Sequence, residues 1–408
     1  MRILFLTQIV PYPLDAGPKI KTYHVLRYLA NAGHSITLVS FVRTEQEKQA
    51  LSVLEPYCRG GVHPVRLRRS PLADIRHLIQ SIPSATPFLI RRDYSPVMAR
   101  AIHSLLDQAA AQGAPYDVIH TVRPNMAQYA ACVKTKLILD TENAEWTILR
   151  RMQQHENNPV KKTLLSVECA KMRSYEGRVC RDADAVLAVS EVDRRALTDT
   201  GAEASKITVI PIAVDCQQIQ SIQRVSASQE ILMVSTLFYP PNADGVRWFI
   251  NQVYPLVRQA VPDATLTIIG PRPPKDITQF AIRNSQFVTV TGYVPDLQPY
   301  LERAALTVVP VRAASGMRVR ILEALARGIP VVTTTTGVEG IDAVHGEHLL
   351  IADEPQSFAM EVVRLLQDAS LRRRLAENGR RLVQEKYDWR MVLPKLEAVY
   401  QTLMKGKL

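Results

Sequence analysis

The sequence has little cysteine, and its cysteines show no metal-binding spacing. The 408 residues include five, Cys58, Cys132, Cys169, Cys180 and Cys216. An odd number without a CxxC pair indicates neither a zinc site nor a disulfide framework, and it is typical of a reduced cytosol. We therefore expect a cytoplasmic protein without a cysteine-bound zinc site.

Long apolar runs are also missing. No run approaches the roughly 20 residues of a membrane-spanning helix. The first apolar segment, Ile3–Thr7, is too short for a signal peptide and lacks a small-residue cleavage site. If this protein meets a membrane, we expect peripheral contact on the inner face.

The loop after the first predicted strand lacks closely spaced glycines. Residues 8–17 contain only Gly17, so no GxGxxG motif is present. A nicotinamide or flavin site in this position is therefore disfavoured. Gly17 still leaves bare backbone directly before a helix, where a ligand could approach the amino terminus of that helix.

What the sequence does contain is a repeated alternation of short apolar strands and helices. The length and a hydrophobic content of 47% suit two α/β domains with parallel sheets. We predict domains over residues 1–215 and 216–386, which face each other. A last segment, residues 387–408, contains a helix over residues 389–404 that packs across both. The predicted strands cover residues 3–7, 35–42, 118–120, 136–140, 185–189, 207–210, 230–235, 265–269, 287–291, 306–311 and 329–334.

The positive charge is concentrated in the first half of the chain. The net charge is +11, and residues 59–100 contain eight arginines against Asp74 and Asp93. Apolar residues are interleaved with them, as in interfacial helices that meet anionic headgroups, although a core-facing helix with solvated arginines fits the same pattern. No aromatic stacking platform accompanies the charge, so a nucleic-acid partner is not expected. The candidate membrane or acceptor surface consists of Arg66, Arg68, Arg69, Arg91 and Arg92.

Residues 306–334 predict a strand, a loop, a helix over residues 319–327 and a second strand. The loop lies at the carboxyl end of a parallel strand, where ligands bind in open sheets. Arg318 and Arg320 stand beside the helix amino terminus and suit diphosphate oxygens. Glu323 lies one turn further on and could accept hydrogen bonds from a ribose diol. Alternatively, Arg320 and Glu323 form an ordinary i,i+3 surface pair.

Motifs along nearly the whole chain resemble the retaining family 4 glycosyltransferases, particularly the sugar transferases of bacterial exopolysaccharide loci. That resemblance implies the two-domain GT-B fold, a nucleotide diphosphate sugar as donor, most simply UDP- or GDP-linked, and a glycan or lipid-linked acceptor. It also implies that the first domain binds the acceptor and that neither a metal nor another cofactor is required. The motifs are residues 11–17 (PYPLDAG), 116–120 (YDVIH), 140–145 (DTENAE), 209–215 (VIPIAVD), 239–245 (YPPNADG), 292–296 (GYVPD), 315–320 (SGMRVR) and 328–332 (GIPVV).

The resemblance assigns site residues as well. Glu323 would hold the ribose, and His120 would lie near the transferred sugar at the end of a strand. A carboxylate at Glu142 or Glu145 would orient an acceptor hydroxyl. Ser315 stands where relatives carry a glutamate that contacts the donor sugar, so no donor sugar is implied. The donor-binding set is Gly17, Gly292, Tyr293, Val294, Ser315, Gly316, Met317, Arg318, Arg320, Glu323 and Gly337.

The predicted function is the transfer of a hexose from the donor to an acceptor hydroxyl, in exopolysaccharide or cell-surface glycan synthesis. Two alternatives stay open. One is a sugar-nucleotide epimerase with the same fold, and the other is an inactive protein that binds a nucleotide sugar.

Overall fold

A computed structural model describes residues 1–67, 69–130, 133–222, 228–313 and 316–406, apart from the side chain of His155. The chain forms two compact units. Unit 1 comprises Met1–Ile212 and Val392–Leu408, and unit 2 comprises Ala213–Met391.

Unit 1 is built on a parallel sheet. Among the residues described there, seven strands pair in the order β3-β2-β1-β4-β5-β6-β7. The direction of the order reverses between β1 and β4, where Phe5 pairs with His120. Ligands of open α/β sheets bind outside the carboxyl ends of the strands at such a reversal. The strands are β1 (Arg2–Thr7), β2 (Ser35–Val42), β3 (Val62–Arg66), β4 (Val118–Val122), β5 (Lys136–Asp140), β6 (Ala185–Ala188) and β7 (Ile207–Val209).

Helices connect these strands and bury their apolar faces against the sheet. The first helix shows how local sequence sets its ends, because Pro18 occupies its first turn and Gly33 follows its last turn with a left-handed φ of 86°. The helices are α1 (Gly17–Asn31), α2 (Glu45–Ala50), α3 (Pro71–Ser81), α4 (Phe88–Arg92), α5 (Pro96–Ala111), α6 (Pro124–Ala127), α7 (Glu145–His155), α8 (Pro159–Asp182) and α9 (Glu191–Thr198), with 3₁₀ turns at Leu51–Tyr57 and Ala204–Lys206.

Unit 2 repeats the arrangement. Its described strands form a parallel sheet in the order β10-β9-β8-β11-β12-β13, with the reversal between β8 and β11. The strands are β8 (Glu230–Val234), β9 (Thr265–Ile269), β10 (Val288–Gly292), β11 (Ala304–Val309), β12 (Val331–Thr333) and β13 (Leu350–Ile351). The helices are α10 (Pro240–Trp248), α11 (Tyr254–Ala260), α12 (Lys275–Arg283), α13 (Gln298–Arg303), α14 (Val319–Ala326), α15 (Thr335–Val338), α16 (Pro355–Gln367) and α17 (Ala369–Lys386), with a π-helical segment at Phe249–Val253. The last helix, α18 (Trp389–Met404), follows unit 2 in the chain and belongs to unit 1 from Val392 onward.

The α/β class with two parallel sheets is confirmed. The predicted interfacial helices over residues 59–100 are partly wrong, because Arg66 ends strand β3 and does not lie in a helix. The strand predicted to end at His120 continues to Val122. In the part of the chain that the structure describes, no helix is long and apolar enough to cross a membrane.

Candidate active site

The carboxyl edge of the unit 2 sheet gathers most of the predicted donor residues. Gly292 ends β10, Gly316 follows β11, and Gly337 follows β12. Because all these strands run parallel, the loops that follow them emerge at the same edge. Strands β10 and β11 are three positions apart in the sheet, which separates their ends by roughly 14 Å at the usual strand spacing.

The loop before α14 approaches the sheet edge through a glycine turn. Gly316 has a φ of 75°, a left-handed conformation that favours glycine. Met317 is buried, and Arg318 occupies the N-cap position of α14. Behind it, the buried side chains of Ile321 and Leu322 fix the helix against the core. The amino terminus of α14, with its free N–H groups, is thereby held at the sheet edge.

Glu323 lies one turn into α14 and is paired with an arginine of the same helix. Nη1 of Arg320 donates to Oε2 of Glu323 at 3.0 Å. The two side chains are 35% and 19% exposed, so the pair is accessible from solvent. The i,i+3 pair expected as an alternative is therefore present, and it orients the Glu323 carboxylate while leaving it within reach of a ligand.

Two further glycines of the predicted donor set have different structural roles. Gly292 has a φ of 74°, and a Cβ added there would meet no atom within 4 Å. Its neighbour Tyr293 is 70% exposed, and Val294 is half-buried. A Cβ at Gly337 would instead lie 2.1 Å from Oγ1 of Thr333, so close packing requires that glycine.

Not all predicted donor residues lie at this edge. Gly17 belongs to unit 1, where it is the first residue of α1. Ser315 and Arg68 lie outside the described residues.

In unit 1, His120 is fully buried in the middle of β4, not at the end of the strand as predicted. Its ring stacks on Phe5 with centroids 4.3 Å apart. The Tyr400 hydroxyl lies 2.7 Å from Nδ1, and Asp140 Oδ2 lies 3.5 Å from Nε2. Burial lowers the pKa of His120 and raises that of Tyr400 well above its ordinary value. Tyr400 therefore donates to a neutral imidazole, whose Nε2–H faces Asp140, and Asp140 also binds Lys21.

An arginine that the sequence analysis did not identify lies beside Glu142. Arg123 follows β4, adopts a φ of 73° that favours glycine, and donates from Nε to Glu142 Oε2 and from Nη1 to Gln8 at 3.1 Å. Strained backbone at a strand end is common in functional sites. Oε1 of Glu142 is buried and has no hydrogen-bond partner among the described residues. The only sequence signal was a charged residue directly after a buried strand.

Glu145 is the first residue of α7, and its carboxyl lies near that of Glu142. Its backbone N–H and that of Trp146 donate to the two oxygens of Glu176, at 2.8 and 2.9 Å. Burial, followed by the charge of Glu145, raises the pKa of Glu176 to about 8. Burial likewise raises the pKa of Glu145, partly opposed by Arg123. Glu145 is half-buried, so of the two predicted carboxylates it is the more accessible to an acceptor.

The predicted basic surface divides into bound and exposed arginines. Asp93 is buried and binds Arg69 Nη2 and, at 3.3 Å, Arg92 Nε. The side chain of Arg66 is 63% exposed, and Arg91 is half-buried. Most apolar residues of α3 do not face the core of unit 1, because Leu72, Ile75 and Ile79 are 80%, 54% and 61% exposed, and Ile82 directly after the helix is 61% exposed.

Two sequence families match this chain. Residues 16–213 match the glycosyl transferase 4-like domain, and residues 228–368 match glycosyl transferases group 1. The two matches lie in unit 1 and unit 2, respectively, and together span most of the chain. The chain belongs to the glycosyltransferases.

One curated relative of this glycosyltransferase matches it over nearly its full length. It is 22% identical over 402 residues to an uncharacterized 44.6 kDa protein in the cps region of Klebsiella pneumoniae, a match covering 97% of this chain and 98% of the relative. The sucrose-phosphate synthase of Thermosynechococcus elongatus superposes with a TM-score of 0.72 at 18% identity, covering 100% of both chains. Anabaena HepE, in complex with UDP and glucose, gives a TM-score of 0.72 at 15% identity, covering 98% of this chain and 100% of HepE. These structures confirm the GT-B fold.

Proposed function

We propose that this glycosyltransferase moves a hexose, with retention of anomeric configuration, from a nucleotide diphosphate sugar to a hydroxyl of a glycan or glycolipid acceptor. The setting would be exopolysaccharide or cell-surface glycan synthesis, in keeping with the relative from a cps region. A UDP- or GDP-linked donor suits the site, and the UDP complex of the structurally similar HepE supports the first of these.

The carboxyl edge of the unit 2 sheet carries this proposal. A nucleoside diphosphate extended along that edge would place its base at Gly292, Tyr293 and Val294. Its phosphates would meet Gly316 and the amino terminus of α14, roughly 14 Å away by strand spacing. Its ribose would then lie within reach of Glu323.

The charges at α14 fit the chemistry of the leaving group. As the bond between the anomeric carbon and the diphosphate oxygen breaks, negative charge builds up on the diphosphate. Arg318, Arg320 and the helix amino terminus would stabilise that charge without a metal. Gly337 packs against Thr333 at the neighbouring strand and would hold that loop beside the donor.

In unit 1, we assign the acceptor to the carboxyl ends of β4 and β5. The unsatisfied Oε1 of Glu142 and the half-buried carboxyl of Glu145 could both receive a hydrogen bond from an acceptor hydroxyl. Complete burial makes His120 a positioning residue, which holds Asp140 and Tyr400 rather than touching the sugar.

Release of nucleoside diphosphate distinguishes the candidate functions. The purified protein should release it from a nucleotide sugar only when an acceptor is added, apart from slow hydrolysis. An epimerase would convert its sugar nucleotide without any acceptor and release no stable nucleoside diphosphate. Binding without either reaction, across a panel of nucleotide sugars and glycan acceptors, would indicate an inactive binding protein and refute the proposal.

A further inference from the structure

A pocket in unit 1 is lined by arginines at the carboxyl ends of β2 and β3. Its volume is about 670 Å³, and the described residues that line it are Arg43, Arg66, Leu67, Arg69 and Ser70. The sheet itself brings these residues together, because Val42 pairs with Arg66 in the parallel register of β2 and β3. The backbone N–H of Leu67 extends the pairing by donating to Val42 at 2.9 Å.

Two of the three arginines of the pocket lack a close carboxylate partner among the described residues. The guanidinium of Arg43 donates to none of the residues that the structure describes, and its backbone N–H binds Glu47 at 2.6 Å. Arg66 and Glu45 are 4.0 Å apart and both are mostly exposed, a geometry that contributes little. Burial, followed by the positive charge of Arg69, lowers the pKa of Arg43, although Glu47 and Asp93 oppose the shift. An anion in the pocket would relieve this repulsion.

The third arginine is held in place from behind. Asp93 is 1% exposed and binds Arg69, while Gln8 and Asn125 also donate to its carboxylate. A guanidinium fixed by a buried carboxylate loses little side-chain entropy when it binds a second anion. The pocket is therefore preorganised on one wall.

An exposed apolar face begins at the rim of the pocket. Ser70 lines the pocket and is also the N-cap of α3, accepting from the N–H of Ala73 at 3.2 Å. Leu72, Ile75 and Ile79 follow on one face of the helix, and each is more than half exposed. A ligand that carries phosphate next to a hydrocarbon chain would satisfy both features.

We propose that Arg43, Arg66 and Arg69 bind the diphosphate of a lipid-linked acceptor, and that the exposed face of α3 lies against its lipid. This inference rests on the proposed function for the role of acceptor. It adds a phosphate site, which includes Arg43, to the basic surface predicted from the sequence. A lipid diphosphate and the anionic headgroups of a bilayer both carry phosphate next to hydrocarbon. Binding to two kinds of vesicle distinguishes these two sources.

The test compares phosphatidylcholine vesicles that carry dodecyl diphosphate with vesicles that carry phosphatidylglycerol at matched surface charge. The wild type should prefer the diphosphate vesicles, and Arg43→Gln should weaken that binding about tenfold, the scale of one lost charged hydrogen bond. Arg59→Gln is the matched control, because it removes the same charge from an exposed turn before the amino end of β3. Inorganic diphosphate should displace the wild type from the diphosphate vesicles, and it should not change the residual vesicle binding of Arg43→Gln.

Further variants separate the lipid from the phosphate. Ile75→Ser with Ile79→Ser should weaken vesicle binding and leave the affinity for inorganic diphosphate unchanged. Equal losses in Arg43→Gln and Arg59→Gln, or equal binding of the wild type to both kinds of vesicle, would overturn the proposal. Binding of UDP and GDP by the same variants is measured in parallel. If the wild type binds neither UDP nor GDP, the proposed function is refuted, while the vesicle result still stands.

Discussion

At the scale of single residues, burial decides what each polar side chain can do. His120 is fully buried and neutral, so it cannot donate a proton to a sugar, although it can hold Tyr400 in place. Glu142 is buried beside Arg123 but retains one oxygen without a described partner. Arg320 and Glu323 are partly exposed and already paired. A ligand at α14 therefore meets side chains whose positions are set in advance.

The first prediction concerns the arginines at α14. Replacing both Arg318 and Arg320 with Ala should lower kcat/KM for the nucleotide sugar. The loss of transition-state stabilisation should amount to a few kcal/mol, because charged hydrogen bonds contribute about 1.5–3 kcal/mol each. Steady-state kinetics with saturating acceptor measures the loss. The loss should be larger in kcat/KM than in the affinity for free nucleoside.

Arg312→Ala is the matched control. Arg312 lies on the same connection after β11, but it forms an exposed bidentate pair with Asp244 at 2.8 and 2.9 Å. Its removal should change kcat/KM little. Equal effects of the two changes would show that general positive charge, and no specific phosphate contact, acts at this edge.

At the scale of elements, the last helix is fastened to unit 1 by a buried polar contact. Tyr400 of α18 is fully buried against His120, and the His34 ring stacks on it with centroids 5.9 Å apart. Glu397, one turn earlier, lies 3.0 Å from His34 Nε2. The helix thus joins β4 and the start of β2, although it follows unit 2 in the chain.

Tyr400→Phe tests this attachment. The change leaves Nδ1 of His120 buried without its donor, so the free energy of unfolding should fall by about 1–3 kcal/mol. Urea unfolding followed by circular dichroism measures it. Tyr300→Phe, at the half-buried Tyr300 of α13 in unit 2, should lower the free energy of unfolding by less. If the two variants are equally stable, the hydrogen bond to His120 contributes nothing.

The elements also show which features a sequence can predict. Strands β2, β5 and β9 and helix α18 were predicted with their observed bounds, because each has a clear apolar period and a marked end. Strand β3 was not predicted. It is an edge strand that contains Pro64 and has one buried residue among five, so its pattern carries little hydrophobic signal.

The candidate site also contains features that the sequence predicts and features that it does not. The roles expected of Arg318, Arg320 and Glu323 depend on one short segment, and local spacing was enough to propose them. The partners of His120 and Arg69 depend on distant segments, since Tyr400 lies 280 residues from His120. Such pairings follow from the sheet order and the packing of α18, which periodicity does not reveal.

At the scale of the molecule, the two units share one strand order and carry different side chains at their carboxyl edges. The edge in unit 2 is rich in glycine and presents the amino terminus of α14. The edge in unit 1 carries partly buried arginine–carboxylate pairs such as Arg123 with Glu142. The same strand order therefore carries different chemistry at its two edges, because the loops rather than the sheet set the side chains found there.

This division of roles predicts that nucleotide binding and sugar transfer can be separated. Glu145→Gln should lower kcat by at least about tenfold, because a carboxylate that orients or deprotonates an acceptor hydroxyl contributes at that scale or above. The Kd for UDP or GDP, measured by calorimetry, should stay unchanged, since the proposed nucleotide contacts all lie in unit 2.

The control is Glu191→Gln, which removes an equal charge from the exposed start of α9, and it should leave both quantities unchanged. A parallel loss of nucleotide affinity in Glu145→Gln would contradict the assignment of Glu145 to the acceptor. Unaltered transfer in that variant would instead return the acceptor role to Glu142, whose unsatisfied oxygen is the other candidate. In that event Glu142→Gln, checked for its unfolding temperature, should show the loss of kcat at constant nucleotide affinity.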